Sequence, residues 1–247
     1  MAGHSKWANI KHRKAAQDAK KGKIFTKIAK ELTVAAKMGG SDPEMNPRLR
    51  VALDKAKSAN MPKDNVERAI KKGTGEGNDT TYYEVTYEGY GPGGFAILVN
   101  ALTDNKNRTV AEVRSNLTKR GGSMGEAGCV AWMFEKKGII NVKRESADED
   151  MIMELAIEAG AEDVEVSEEG YEIISEPDNY YAIKEALEAQ NIEIEFSEIT
   201  MKPKTTVELK GEEAKKAMAL IEVLEDLDDV QEVYTNADID EDELEQH

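Results

Sequence analysis

Across the glycine-rich stretch Gly73-Thr-Gly-Glu-Gly-Asn-Asp-Thr80 the hydrophobic period of this chain changes from helical to extended. Upstream, Ile24, Phe25, Ile28, Ala29, Leu32, Ala35 and Ala36 recur at spacings of three and four, which predicts an amphipathic helix over 24–38 that Gly39-Gly40 end. Asn46-Pro47 opens a second helix with Leu49, Ala52, Leu53 and Ala56 on one face. Pro62 opens a third with Val66, Ala69 and Ile70, closed by Gly73. Three short helices with one apolar face each are stable only against one another, so a three-helix unit is expected.

Downstream the apolar residues alternate. Strands over 82–88 and 95–102 flank Gly89-Tyr-Gly-Pro-Gly-Gly94 as a hairpin, and a helix over 109–120 follows, with Thr109 and Glu112 at capping-box spacing and Gly121-Gly122 as its stop. Residues 129–134 read as another strand. Residues 138–200 then run strand, helix, strand, strand, helix, strand, with Ser146 and Glu149 as a further capping box; this is the ferredoxin-like βαββαβ order. A strand over 205–209, a helix over 212–227 and a strand over 230–235 remain to complete the sheet interrupted at 134.

The expected fold is therefore α+β in three domains: an N-terminal three-helix unit, a discontinuous α/β sandwich domain and an inserted ferredoxin-like domain. The boundaries are a basic arm over 1–22, helices over 23–78, the central domain over 79–135 and 204–237, the acidic insert over 136–203 and a frayed acidic tail over 238–247.

Charge is partitioned as sharply as period. Residues 1–72 hold 18 Lys+Arg against 7 Asp+Glu, a net of +11, and residues 73–247 hold 15 against 42, a net of −27, which together give the chain's −16. A clustered cationic segment gains affinity for polyanions by releasing the counterions condensed on phosphates, while the acidic remainder repels them. The expected nucleic-acid contacts are His4, Lys6, Trp7, Lys11, His12, Arg13, Lys14, Lys20, Lys21, Lys23 and Lys27, opposed in that run only by Asp18. Arg108, Arg114, Lys119 and Arg120 form a second, smaller basic set. Trp7 offers a stacking face for an unpaired base, or else a hydrophobic staple onto the helices.

Catalytic chemistry finds no foothold. The histidines are His4, His12 and His247, none at metal-ligand spacing, and no metal or other cofactor is expected. The loops 89–94 and 121–125 lack the Gly-Lys-Ser/Thr of a phosphate loop and read as turns. Cys129 is the single cysteine and reads as a small buried apolar residue in a reducing compartment. No apolar run reaches the roughly 18 residues of a membrane span, and the first residues lack the apolar core of a secretory signal. A cytosolic protein with no membrane partner and no small-molecule substrate is expected.

The opening Ala2-Gly-His-Ser-Lys-Trp-Ala-Asn-Ile-Lys-His-Arg-Lys14 strongly resembles the YebC family of regulatory proteins. So do Gly22-Lys-Ile-Phe-Thr-Lys-Ile28, Asn46-Pro-Arg-Leu-Arg50, Asn60-Met-Pro62, Tyr87-Glu-Gly-Tyr-Gly-Pro-Gly-Gly94, Asp104-Asn-Lys-Asn-Arg108 and Gly121-Gly-Ser-Met-Gly125. The resemblance implies an N-terminal helical domain and two α/β domains, the last inserted in the second. It implies a non-enzymatic regulator of gene expression in one of two forms. Bacterial members are described as DNA-binding transcriptional regulators. Others, including the mitochondrial translational activator of cytochrome c oxidase, act in translation, and some relieve ribosomes stalled on proline-rich sequence. In the translational form, residues 2–21 would contact ribosomal or transfer RNA; in the transcriptional form the partner is promoter DNA.

Overall fold

The computed structural model describes residues 18–75, 81–168 and 170–239. Helix α1 spans Asp18–Gly39, α2 Pro47–Ser58 and α3 Lys63–Gly73. The first helix starts well before Ile24, because Ala19, Lys20 and Lys21 are good helix formers that continue the register backward. Ile28, Leu32, Ala35, Leu49, Ala52, Ala56 and Ala69 make the core between the three helices. Two residues set how closely they approach. The Asn46 side chain caps α2 by accepting from the Leu49 N–H at 3.1 Å, and its amide donates to the carbonyls of Ala35 and Gly40, each at 2.8 Å. At Gly73 a Cβ would lie 2.3 Å from the Thr33 carbonyl oxygen, so only glycine lets α3 close on α1 there. The Thr33 hydroxyl completes that contact at 3.1 Å from the Ala69 carbonyl.

Strands β1 (Tyr83–Tyr90) and β2 (Ala96–Thr103) form an antiparallel hairpin. Helix α4 (Lys106–Lys119) follows, then the short strand β3 (Ser123–Met124), which pairs back with β1 at Gly89 and Tyr90. Next come β4 (Phe134–Lys143), α5 (Glu149–Glu158), β5 (Asp163–Val166), β6 (Gly170–Ser175), α6 (Tyr180–Ala189) and β7 (Ile194–Pro203). These last four strands pair antiparallel in the order β5-β6-β4-β7, with Ile140, Val142, Tyr171 and Ile173 of the sheet packed against Ile152, Ala156, Ile183 and Leu187 of the two helices. That is the ferredoxin-like strand arrangement. The chain then returns through β8 (Val207–Leu209), α7 (Gly211–Glu225), β9 (Val230–Thr235) and β10 (Ala237–Ile239). The first sheet has the order β3-β1-β2-β9; Ile97, Val99 and Ala101 on one face meet Val113 and Leu117 of α4 and Ala217, Ile221 and Leu224 of α7.

The mixed helix and sheet content is the expected α+β class. Several local expectations differ. Strand β8 does not join the first sheet but pairs in parallel with β10 (Ala237–Ile239), so Asp238 and Ile239 of the expected tail are strand, while 240–247 lie outside the described residues. Residues 129–133 are not a strand: a 3₁₀ turn at Ala131–Met133 precedes β4, which starts at Phe134, because Glu88 draws the backbone N–H groups of this segment inward. Neither expected capping box forms. Asn105 caps α4 by accepting from the Arg108 N–H at 3.1 Å, and Thr109 lies buried inside the helix. Ser146 sits in a 3₁₀ turn, Asp148 is the cap position of α5 without a side-chain cap bond, and Glu149 turns to Arg144 at 2.9 Å.

Candidate nucleic-acid interface

The basic helices meet the acidic body through a row of lysines one helical turn apart. On α1, Lys23 reaches the Asp226 carboxylate at 2.7 Å, Lys27 donates to the Glu225 carbonyl, and Lys30 reaches the Asp229 carboxylate at 3.1 Å and the Asp228 carbonyl at 2.9 Å. Their targets are the last turn of α7 and the loop after it, where carbonyls at the helix end and the negative end of the helix dipole add to the carboxylates. On α2, Lys55 pairs with Glu232 of β9 at 2.6 Å, and this attraction raises its pKa despite burial. Arg48 bridges Glu31 at 2.9 Å and Glu84 of β1. Arg50 lies 5.3 Å from the ring centre of Tyr181 on α6, beside a Lys184–Asp54 pair at 3.6 Å.

Asp229 is the centre of this junction. Its buried carboxylate accepts from Lys30, from Arg108 Nε and Nη2 at 3.0 and 2.6 Å, from Thr109 at 2.9 Å and from Thr103 at 3.1 Å, while its carbonyl accepts from the Leu102 N–H at 2.8 Å. Burial by itself would raise its pKa; the bonds from Arg108, Thr109 and Lys30 outweigh that and hold it below the usual carboxylate range. The same bond to Asp229, with that to Asp104, keeps Arg108 above its ordinary value.

The expected contact residues thus fall into separate groups. His4, Lys6, Trp7, Lys11, His12, Arg13 and Lys14 lie outside the described residues. Lys20 and Lys21 belong to the first turns of α1. Lys23, Lys27 and Arg108 are drawn together around the 225–229 corner, where their charge is met by the protein itself. Arg114 and Lys119 are exposed on α4 and make no ion pair with a described residue, and Arg120 is half-buried against Asn116 at 3.2 Å. The structure adds exposed cations that clustering had not singled out: Lys37 at the end of α1, Lys57 on α2, and Arg68, Lys71 and Lys72 on α3, none paired with a described acid. Their signal was their i, i+3 and i+4 spacing on the polar side of α3.

A second buried carboxylate organises the loop after β3. Glu88 accepts from the N–H groups of Gly128, Val130 and Ala131 at 2.6, 2.7 and 2.7 Å. Burial opposes its charge, but these donors prevail and its pKa is lowered. The loop carries Trp132, 62% exposed, whose indole N–H donates to the Cys129 carbonyl at 3.1 Å. Cys129 is only half-buried, and its thiol is pushed up first by desolvation and then by Glu88. Among the described residues no group of three His, Cys, Asp or Glu is placed to hold a metal ion, and no helix is long and apolar enough to cross a membrane.

The fold is shared with the crystal structure of a conserved hypothetical protein from Aquifex aeolicus, at a TM-score of 0.78 and 50% identity, covering 91% of this chain and 93% of that one. The chain is 58% identical over 244 residues to the "Probable transcriptional regulatory protein" of Desulfatibacillum aliphaticivorans and 57% identical over 245 residues to that of Geobacter sulfurreducens, covering 99% of each chain in both cases. These likenesses define a class of regulatory proteins, not of enzymes. Within it, residues 5–76 match the family described as the TACO1/YebC protein N-terminal domain and residues 82–237 match the TACO1/YebC second and third domain. The chain belongs to the TACO1/YebC family.

Proposed function

We propose that this regulator is a cytoplasmic, ribosome-associated translation factor that contacts ribosomal or transfer RNA through its basic arm, with His4, Lys6, Trp7, Lys11, His12, Arg13, Lys14, Lys20 and Lys21 as the contact residues and Arg114, Lys119 and Arg120 as a flanking set. The observation that carries the reading is the charge pattern of the sequence on either side of Lys23. Lys23, Lys27 and Lys30 are held by the acidic body, whereas the six Lys and Arg residues upstream of them have only Asp18 as a counter-charge in their own segment. A short cationic segment with one indole matches structured RNA, where phosphates and unpaired bases lie side by side.

A second reading, a DNA-binding transcriptional regulator, is favoured by the name its relatives carry. The helical unit supports it less. Its first connection, 40–46, is longer than the roughly 3–4-residue turn of a helix-turn-helix, and only the second, 59–62, has that length. Sedimentation of cell lysate through sucrose, with full-length protein and with a form lacking the first 21 residues, separates the two. Arm-dependent co-migration with ribosomes is expected; sedimentation at the top of the gradient at low salt, with translating ribosomes present, would refute the translational form and favour promoter DNA.

A further inference from the structure

A groove of about 410 Å³ runs between the end of α1 and the start of β1, lined by Thr33, Val34, Lys37, Met38, Tyr82, Tyr83 and Lys106 among others. Its chemistry is distinct from that of the neighbouring junction. Tyr83 and Met38 are large and 43% and 70% exposed, although nothing in the fold requires an aromatic ring and a thioether to face solvent together. The Lys106 ammonium stands 4.5 Å from the ring centre of Tyr83. Neither Lys106 nor Lys37 pairs with a described acid, while the one carboxylate on the rim, Glu84, is already bound by Arg48. Lys106 is also the first residue of α4, whose positive dipole end faces this side.

From this geometry we infer that the groove binds one unstacked nucleotide of a single-stranded nucleic acid. The base stacks on Tyr83 beside Met38, and the phosphates are met by Lys106 and Lys37. Charge complementarity selects the occupant: two unmatched cations on an acidic protein call for an anion, and the exposed ring calls for a flat apolar partner, a pairing that a nucleotide supplies and an acidic peptide does not. The volume lies in the range of about 300–1,000 Å³ that suits a small ligand, too little for a duplex. The inference rests on the nucleic-acid reading above and gives it a second contact, remote in sequence from the arm.

The test uses the full chain and a single-stranded dodecamer carrying one 4-thiouridine, in ribo and deoxyribo forms, with its duplex as control. Photocrosslinking followed by mass spectrometry is expected to mark Tyr82 or Tyr83. By fluorescence anisotropy, Tyr83→Ala should weaken single-strand binding about fivefold or more, the lower end of the stacking range for a half-exposed ring. Tyr83→Phe, which keeps the ring, should restore it, and Lys106→Gln should flatten the salt dependence. Equal melting temperatures exclude misfolding as the cause, and the ratio of ribo to deoxyribo affinities tells which nucleic acid is preferred. Crosslinks confined to residues 1–21 with unchanged affinity of Tyr83→Ala would overturn the groove while leaving the arm standing. No binding by the wild-type chain to any of the probes would overturn both.

Discussion

Replacing Asp229 by asparagine keeps its shape and removes the charge on which the helical unit, β2 and α4 converge. The carboxylate is 3% exposed and accepts from four side chains, two of them cations. In the variant an amide N–H2 would point at donors, and Lys30, whose side chain is only 17% exposed, would keep the Asp228 carbonyl but lose its charged partner. Breaking a buried ion pair costs about 3–5 kcal/mol, and here Arg108 can turn partly to water, so a loss of about 2–4 kcal/mol is expected at pH 7. The pH dependence follows from the sign of the shift. Because the folded carboxyl titrates below its unfolded value of about 3.9, its contribution is fully present above that pH and is lost as pH falls through the folded value. Urea denaturation of wild type, Asp229→Asn, Lys30→Met and the double variant should therefore show a gap at pH 7 that shrinks below about pH 4, and a Lys30–Asp229 coupling of about 1–2 kcal/mol. A difference under about 0.5 kcal/mol at pH 7, or a gap that persists unchanged in acid, would refute the reasoning.

Glu88→Gln should cost about 1–3 kcal/mol, because a charged acceptor of buried N–H groups becomes a neutral one, and should increase hydrogen exchange at Gly128, Val130 and Ala131; unchanged exchange there would show that the loop holds itself. In RNA binding, replacing Lys11, Arg13 and Lys14 by glutamine should flatten the plot of log affinity against log salt by about 2, at about 0.7 per contact on single strands, whereas replacing the docked Lys23 should barely change it. Equal effects at both places would mean that α1 releases its lysines to the polyanion.

Core faces were legible because they are periodic: Ile28, Leu32 and Ala35 show themselves at helical spacing, and Ile97, Val99 and Ala101 at strand spacing. The short pairing of β8 with β10 was not, since Val207–Leu209 and Ala237–Ile239 are each too brief to carry a period and their partners lie far apart in sequence. The turn at Ala131–Met133 escaped for a related reason. Its conformation is set by the Glu88 carboxylate some forty residues upstream, whereas a reading by propensity sees only Cys129-Val-Ala-Trp-Met-Phe134. The candidate interface was legible as a cluster of positive charge, but its division was hidden. Nothing local marks Lys23 and Lys30 as docked, and only the return of the chain at Asp226–Asp229, about two hundred residues later, shows that the protein itself binds them.

On the proposed reading, that return lets one chain of net charge −16 offer a cationic segment to a polyanion. Helix α1 begins five residues before Lys23, less than two turns, so its first turns lie near Asp226, Asp228 and Asp229. Left bare, this corner would set several negative charges against any phosphate brought within the Debye length of about 8 Å at physiological salt. Lys23, Lys30 and Arg108 answer those carboxylates, and Lys27 the carbonyl end of α7. The docked lysines therefore tie the helical unit to the acidic body and, on the proposed reading, lessen the repulsion that a polyanion would meet at this corner.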